Sequence, residues 1–406
     1  MRITPAKPLS AFLLLLVLCF PLKAQDEAPR ISARAAALID AKTGELIYEK
    51  NSKSPHPPAS LAKVVTIYVL LEKIAGGELS LTQEIIPPEK SWAVNLPRDS
   101  SLMFLGPGQK LTTLDLLKGL AVSSGNDAAV AAGILCAGSP TAFAGLMNAV
   151  CEKENISGLH FVEPSGYDEH NTITAGGFAD FLRIYISRHP QALEKLHSLP
   201  EFTYPRSENI TGGANPPPIT QKNRNSLLFS YAGVDGIKTG YLNESGYNIA
   251  LTAQRGGMRL ILVLLGEEGA SPAEAMNTRN KDAAALFDYG FDNFTTFAMA
   301  PPPVEAVRVW KGEEQEIIPL SPREIWITAP KNAAKNLRGE INQKKFVTAP
   351  VAEGEILGKI RVMLGAKPVY EENLTSPRKI ERGSFFRAAW DSVVIFFRDL
   401  FGFPVD

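Results

Sequence analysis

Hydrophobic positions along this chain fall into two rhythms, one helical and one strand-like, in a fixed order. Behind Arg2 and Lys7 comes an uncharged run from Leu9 to Leu22. Apolar runs from Ala35 to Ile39 and from Leu46 to Tyr48 flank Asp40 and Lys42-Thr43-Gly44. That pattern predicts a hairpin over about residues 33–50, with the glycine supplying a positive φ at the turn. A Pro-rich loop, Pro55, Pro57 and Pro58, then leads to a helical pattern from Leu61 to Ile74, closed by Gly76-Gly77. Helical spacing continues over 113–122, 128–137 and 143–151. Strand patterns return at 247–254 and 260–265 around Gly256-Gly257, followed by a helix over about 272–289. A hairpin at the start, strands near the end and helices between them predict a sheet assembled from both chain ends with a helical subdomain inserted.

Ala300-Pro301-Pro302-Pro303 interrupts this pattern and reads as a stiff linker. Beyond it, short strand-like runs at 304–310, 316–320, 325–328 and 355–362, separated by turn residues, predict a small all-β domain. In the tail, Phe386, Ala389, Trp390, Val393, Phe397 and Leu400 recur at three- and four-residue steps. Arg387, Asp391, Arg398 and Asp399 take other positions of the same helix, which is therefore amphipathic. Four charges in so short a segment argue against a bilayer span, leaving a helix in the membrane interface or packed on protein.

Composition adds limits. With 406 residues and 45% hydrophobic positions the chain has room for two or three domains. Its 42 basic and 43 acidic residues leave no electrostatic footprint for nucleic acid. The charged start, the apolar run and the small Ala24 read as a secretory signal over residues 1–24, so the mature protein is exported. Cys19 follows the bulky Leu18, which disfavours a lipoprotein site. Cys136 and Cys151 lie in apolar helical patterns and read as buried thiols, with a disulfide left open by the oxidising compartment. The five histidines form no cluster with metal-ligand spacing, and no cofactor is implied.

Three short strings carry chemistry: Ser60-Leu61-Ala62-Lys63, Ser124-Gly125-Asn126 and Lys238-Thr239-Gly240. On a helix, positions i and i+3 share a face, so the Ser60 hydroxyl and the Lys63 amine can meet. An ammonium cannot accept a proton. Burial and repulsion from Lys238 are expected to lower the Lys63 pKa and so make Ser60 a nucleophile. Ser124 can pass a proton to a departing amine, and Asn126 can hold the acyl side of a substrate. Lys238 and Thr239 suit a terminal carboxylate, and Gly240 leaves a substrate room along the strand. Backbone N–H groups of Ser60 and Tyr241 are the candidates for an oxyanion hole. The chain also carries look-alikes: Lys42-Thr43-Gly44 reads as a turn, Ser207-Glu208-Asn209 as loop, and Ser376 precedes Pro377, away from helix.

Taken in order, these strings resemble the active site of the low-molecular-mass penicillin-binding proteins that act as serine-type D-alanyl-D-alanine carboxypeptidases. The likeness extends to Pro58-Ala59-Ser60, Asp127-Ala128, Asn223-Arg224-Asn225-Ser226-Leu227-Leu228 and Val234-Asp235-Gly236-Ile237. The resemblance implies an α+β chain: a penicillin-recognising serine acyltransferase (β-lactamase-like) domain with an antiparallel sheet and helical subdomain, then a small all-β domain and a C-terminal amphipathic helix. The expected organisation is a signal peptide at 1–24, the catalytic transpeptidase-like domain at 28–299, the all-β domain at 300–378 and a membrane-anchoring helix at 379–406.

It implies catalytic roles for Ser60, Lys63 and Ser124, and substrate contacts from Asn126, Lys238, Thr239, Gly240 and Tyr241. Arg224 and Arg279 fall where the family often has arginines near the carboxylate end. The implied partners are peptidoglycan stem peptides, β-lactam antibiotics and the outer face of the cytoplasmic membrane in the periplasm. Two departures stand out. Tyr241 replaces a frequent histidine, and Glu163-Pro164-Ser165-Gly166-Tyr167-Asp168 is only similar to the family's Gly-rich loop. No E-x-x-L-N string favours a β-lactamase; a D,D-endopeptidase stays open, and an inactive cell-wall scaffold is the non-enzymatic alternative.

Overall fold

A computed structural model describes residues 27–212 and 216–401, so the expected signal segment and Cys19 lie outside the described residues. Five strands make the central antiparallel sheet: β1 (Ala35–Asp40), β2 (Leu46–Lys50), β3 (Val234–Leu242), β4 (Gly246–Arg255) and β5 (Met258–Glu267). Their order is β2-β1-β5-β4-β3, so the first hairpin is joined to strands from much later in the chain. One cross-strand row runs Ala37–Val263–Ala250–Lys238. The inner strands β1, β4 and β5 read as long buried runs because both of their faces are covered. Ala35, Ala37, Val263 and Leu265 pack against the helical subdomain, whereas Leu38, Leu251, Leu262 and Leu264 pack on the other side.

The helical subdomain holds α1 (Ala62–Ala75), α2 (Thr113–Lys118), α3 (Asn126–Ala137), α4 (Pro140–Lys153) and α5 (Ala175–Arg188). α2 continues into a π-helical turn at 119–123, and α6 (Pro272–Asn293) covers the far face of the sheet, one turn longer than its apolar pattern suggests. Both Cys136 and Cys151 are free thiols, and burial pushes each up to about 11. Among the look-alike strings, Gly44 does take a positive φ of 76° in the hairpin turn. Ser207–Asn209 forms a short 3-10 turn rather than loop.

Past α6, strand β6 (Phe294–Met299) precedes the prolines and pairs with β9 (Ile325–Pro330); β7 (Val307–Trp310) and β8 (Glu316–Ile317) lie between them in sequence. The β region continues with β10 (Leu337–Gln343), β11 (Phe346–Thr348), β12 (Ile356–Leu364) and β13 (Lys367–Thr375) around two small apolar cores. A hydroxyl relay joins this region to the sheet. Thr296 Oγ1 donates to Asp40 at 2.7 Å, and the Thr43 and Thr328 hydroxyls lie 2.7 Å apart. The Lys42 amine sits 4.7 Å over the Trp326 ring.

The last element, α7 (Phe385–Phe401), has its polar and apolar sides turned in an informative way. Asp391 is buried and accepts the Lys311 backbone N–H, while the Arg398 guanidinium lies 4.6 Å over Phe346. Phe386 and Trp390 stay 84% and 69% exposed. The charged side therefore docks on the β region and the aromatic side faces outward. No single helix among the described residues is long and apolar enough to cross a membrane.

Candidate active site

The nucleophile candidate sits where the Pro-rich loop tightens into a 3-10 turn, Ala59–Leu61, that feeds α1. Ala59 holds φ at 50°, a left-handed conformation costly for a residue with a Cβ. The neighbours enforce it. Asn248 donates to Pro57 O at 3.0 Å from the sheet side. Gly240 and Gly166 close in so tightly that a Cβ on either would meet backbone, 2.8 Å from Pro58 O and 1.8 Å from Ala59 O. Gly240 thus also makes possible the close approach of β3 to the Ser60 backbone.

Lys63 is wholly buried on α1. Its Nζ lies 3.1 Å from Ser60 Oγ, 2.7 Å from Asn126 Oδ1 and 2.6 Å from the Ser165 carbonyl. Burial pushes the amine down to about 7, with Glu163 opposing, Arg224 assisting and Asp127 opposing. Repulsion between the two lysines enters from the other side. Lys238 is held well below its ordinary range by burial first, then by Lys63 and Arg224.

The Ser-Gly-Asn string forms a clamped bend. Ser124 is buried in a left-handed conformation, φ 59°, at the end of the π-helical turn. It does not cap α3, since Gly125 is the N-cap and Asn126 the first helical residue. Asp127 secures the bend by accepting the backbone N–H groups of Met103, Phe104, Leu105 and Ala128 at 2.7–3.0 Å. Asn126 spends one amide end on Lys63, which leaves its Nδ2 group for other partners.

β3 is one of the two edge strands of the sheet. Lys238 and Gly240 share its inner face by alternation, and Tyr241 is half exposed, its ring 4.4 Å from Tyr247. Ser60, Asn126, Gly166 and Tyr241 line one cleft of about 470 Å³, with Asp99 and Glu244 at its rim. Arg224 donates to Ser101 Oγ at 2.8 Å. Arg279 lies behind the sheet, where burial lowers it to about 10 and its nearest partners are Asn280 and Asn248 O.

Three groups escaped the sequence reading. Glu163 and Asn171 brace the loop that presents Ser165 O to Lys63. His197 is buried behind β3 between Tyr185 and Ile237 O, and burial holds it near about 4. The Gly-containing string marked the loop but not the part Glu163 plays in it, and nothing local marked Asn171 or His197.

A serine and a lysine one helical turn apart, facing an edge strand across a cleft closed by a Ser-Gly-Asn bend, define a penicillin-recognising serine acyltransferase. Residues 23–269 match the D-alanyl-D-alanine carboxypeptidase family and residues 294–382 the C-terminal domain of penicillin-binding protein 5. The chain belongs to the D-alanyl-D-alanine carboxypeptidase family, and the expected class of serine-type carboxypeptidase holds. It is 33% identical to the D-alanyl-D-alanine carboxypeptidase DacC of Escherichia coli, over 97% of this chain and 96% of that one. Penicillin-binding protein 5 from Haemophilus influenzae superposes with a TM-score of 0.77 at 28% identity, covering 88% of this chain and 99% of that one. Penicillin-binding protein D2 from Listeria monocytogenes, solved in its cefotaxime-bound form, gives 0.55 at 30% identity over 65% of this chain and 99% of that one.

Proposed function

We propose that the cleft removes the terminal D-alanine from peptidoglycan stem pentapeptides through an acyl-enzyme on Ser60. The observation that carries this reading is the Lys63 amine, 3.1 Å from Ser60 Oγ and brought to about 7 by burial, so that a substantial fraction is neutral near neutral pH. Neutral Lys63 takes the Ser60 proton as Oγ attacks the penultimate D-alanine carbonyl. The oxyanion is received by the Ser60 and Tyr241 N–H groups. Ser124 passes a proton to the departing D-alanine amine as the peptide bond breaks, and water then hydrolyses the ester. Asn126 Nδ2 holds the acyl side. Lys238 and Thr239 hold the terminal carboxylate, whose arrival favours the charged form of a buried lysine.

A β-lactam acylates the same serine with its own carboxylate in that position, in keeping with the cefotaxime-bound relative. The enzyme is exported to the periplasm and held at the outer face of the cytoplasmic membrane by the outward aromatic side of α7.

The test is release of D-alanine from a pentapeptide, together with labelling by a fluorescent penicillin. Ser60→Ala and Lys63→Ala should each reduce turnover by at least about 10³-fold, and the double variant should lose little more. Additive losses sink the paired assignment. Cleavage of a cross-linked dimer faster than the pentapeptide makes the protein an endopeptidase, and a chain that takes no label is the inactive scaffold.

A further inference from the structure

Three charged groups bear on the Lys63 amine: Glu163 from the 163–171 loop, Asp127 from α3 and Arg224 from the segment ahead of β3; Lys63 in turn bears on Lys238 of β3. Asp127 is saturated by its four backbone N–H donors. Glu163 is differently placed. Its Oε2 accepts the Ser165 N–H at 2.6 Å, and its Oε1 accepts Asn171 Nδ2 at 2.7 Å. The carbonyl of that same Ser165 accepts from Lys63 Nζ at 2.6 Å. Asn171 is fully buried and ties the loop further, accepting from Val162 N at 2.9 Å and donating to Asp168 O at 3.0 Å. The loop is therefore wrapped around one carboxylate. It is pressed against the nucleophile turn at Gly166, where no side chain fits. No step of the proton transfer proposed above uses Glu163, which reaches Lys63 only through Ser165.

We propose that Glu163 is a positioning residue for acyl transfer: its carboxylate holds Ser165 O against the Lys63 amine and places a negative charge behind that contact. The inference rests on Lys63 as the proton acceptor. Among the charges around Lys63, Glu163 is the foremost one favouring the ammonium, against burial and Arg224. Removing it should free the base at lower pH. The hydrogen bonds that hold the loop are a separate contribution, and removing the neutral Asn171 weakens them at Val162, Glu163 and Asp168 while leaving the Glu163 charge in place.

The measurement is the second-order rate of Ser60 acylation by a fluorescent penicillin, taken on the full chain between about pH 5 and 9. In the unaltered protein the rate should rise through about pH 7 as Lys63 loses its proton. Glu163→Gln should move that rise to lower pH by roughly one unit, and Glu163→Asp should move it the same way by less. Asn171→Ala should lower the rate severalfold at every pH and leave the rise in place. A Glu163→Gln profile that is scaled down but not displaced overturns the proposal. If that variant takes no label at any pH, Glu163→Asp decides by the same criterion. Lys63→Ala separates the two readings: labelling at the normal rate removes Lys63 as the base, whereas an inert Lys63→Ala beside an undisplaced Glu163→Gln removes only the role given to Glu163.

Discussion

Lys63 and Lys238 are two buried amines, and the charge of Lys63 adds to burial in loosening the hold of Lys238 on its proton, which the substrate carboxylate proposed for that position would relieve. Lys238→Ala should therefore impair a free-acid D-Ala-D-Ala substrate far more than a matched ester or amide, by about 10-fold or more in relative kcat/KM. Equal losses on both would place Lys238 outside carboxylate recognition. The Ser60–Lys63 pairing was legible in the sequence because helical geometry fixes it over three residues, and the same is true of Gly44 in its turn. Glu163 was not. Its effect on Lys63 arises from a loop a hundred residues downstream folding back onto α1, and no local spacing encodes that approach. Gly240 was legible as an identity, but its packing constraint was not, since only the turn beneath it reveals what a methyl group would strike.

At the scale of elements, the cleft depends on backbone packing as much as on the side chains that carry chemistry. Gly240→Ala should displace the Ser60 turn, because its Cβ would stand 3.0 Å from Ser60 N, within backbone that cannot swing aside. Penicillin labelling should fall at least about 10-fold in a protein that still folds. Asp127→Asn replaces two acceptor oxygens with one among four N–H donors, and a thermal or urea melt should register about 2–3 kcal/mol of lost stability. Restoration of the melt without restoration of labelling by a second-site change would separate folding from site geometry. Helices with one apolar face and strands buried on both faces were legible. β10 and most of β13 were not, because exposure of both sides leaves them no alternation to read. The π-helical turn has the same sequence pattern as plain helix, since the five residues from Gly119 to Ser123 are buried alike in either form.

The whole molecule is organised by two joints. One is the hydroxyl relay of Asp40, Thr296, Thr328 and Thr43, in which the turn that imitates the Lys-Thr-Gly motif becomes the contact between the sheet and the β region. The other is the seat of α7. A chain ended at Gly383 keeps Ile380, which packs in the β core, and removes the helix with its outward aromatic side. That truncation should move the protein from the membrane to the soluble fraction while labelling of Ser60 persists. Retention on membranes through a high-salt wash would put the anchor elsewhere.

The seat of α7 has a mechanical consequence. Gly383 N–H bonds to Lys311 O at 2.9 Å, Asp391 holds the Lys311 N–H, and Arg398 rests on Phe346, so the helix is bolted to the body at both ends and cannot spin like a buoy on a line. A molecule lying on such a helix keeps one stance, with its cleft at one altitude above the bilayer. Under the anchoring proposed for α7, the working zone is a thin slab of the wall rather than the sphere a flexible tether would sweep, and stem peptides outside that slab should escape trimming however well they would fit the cleft.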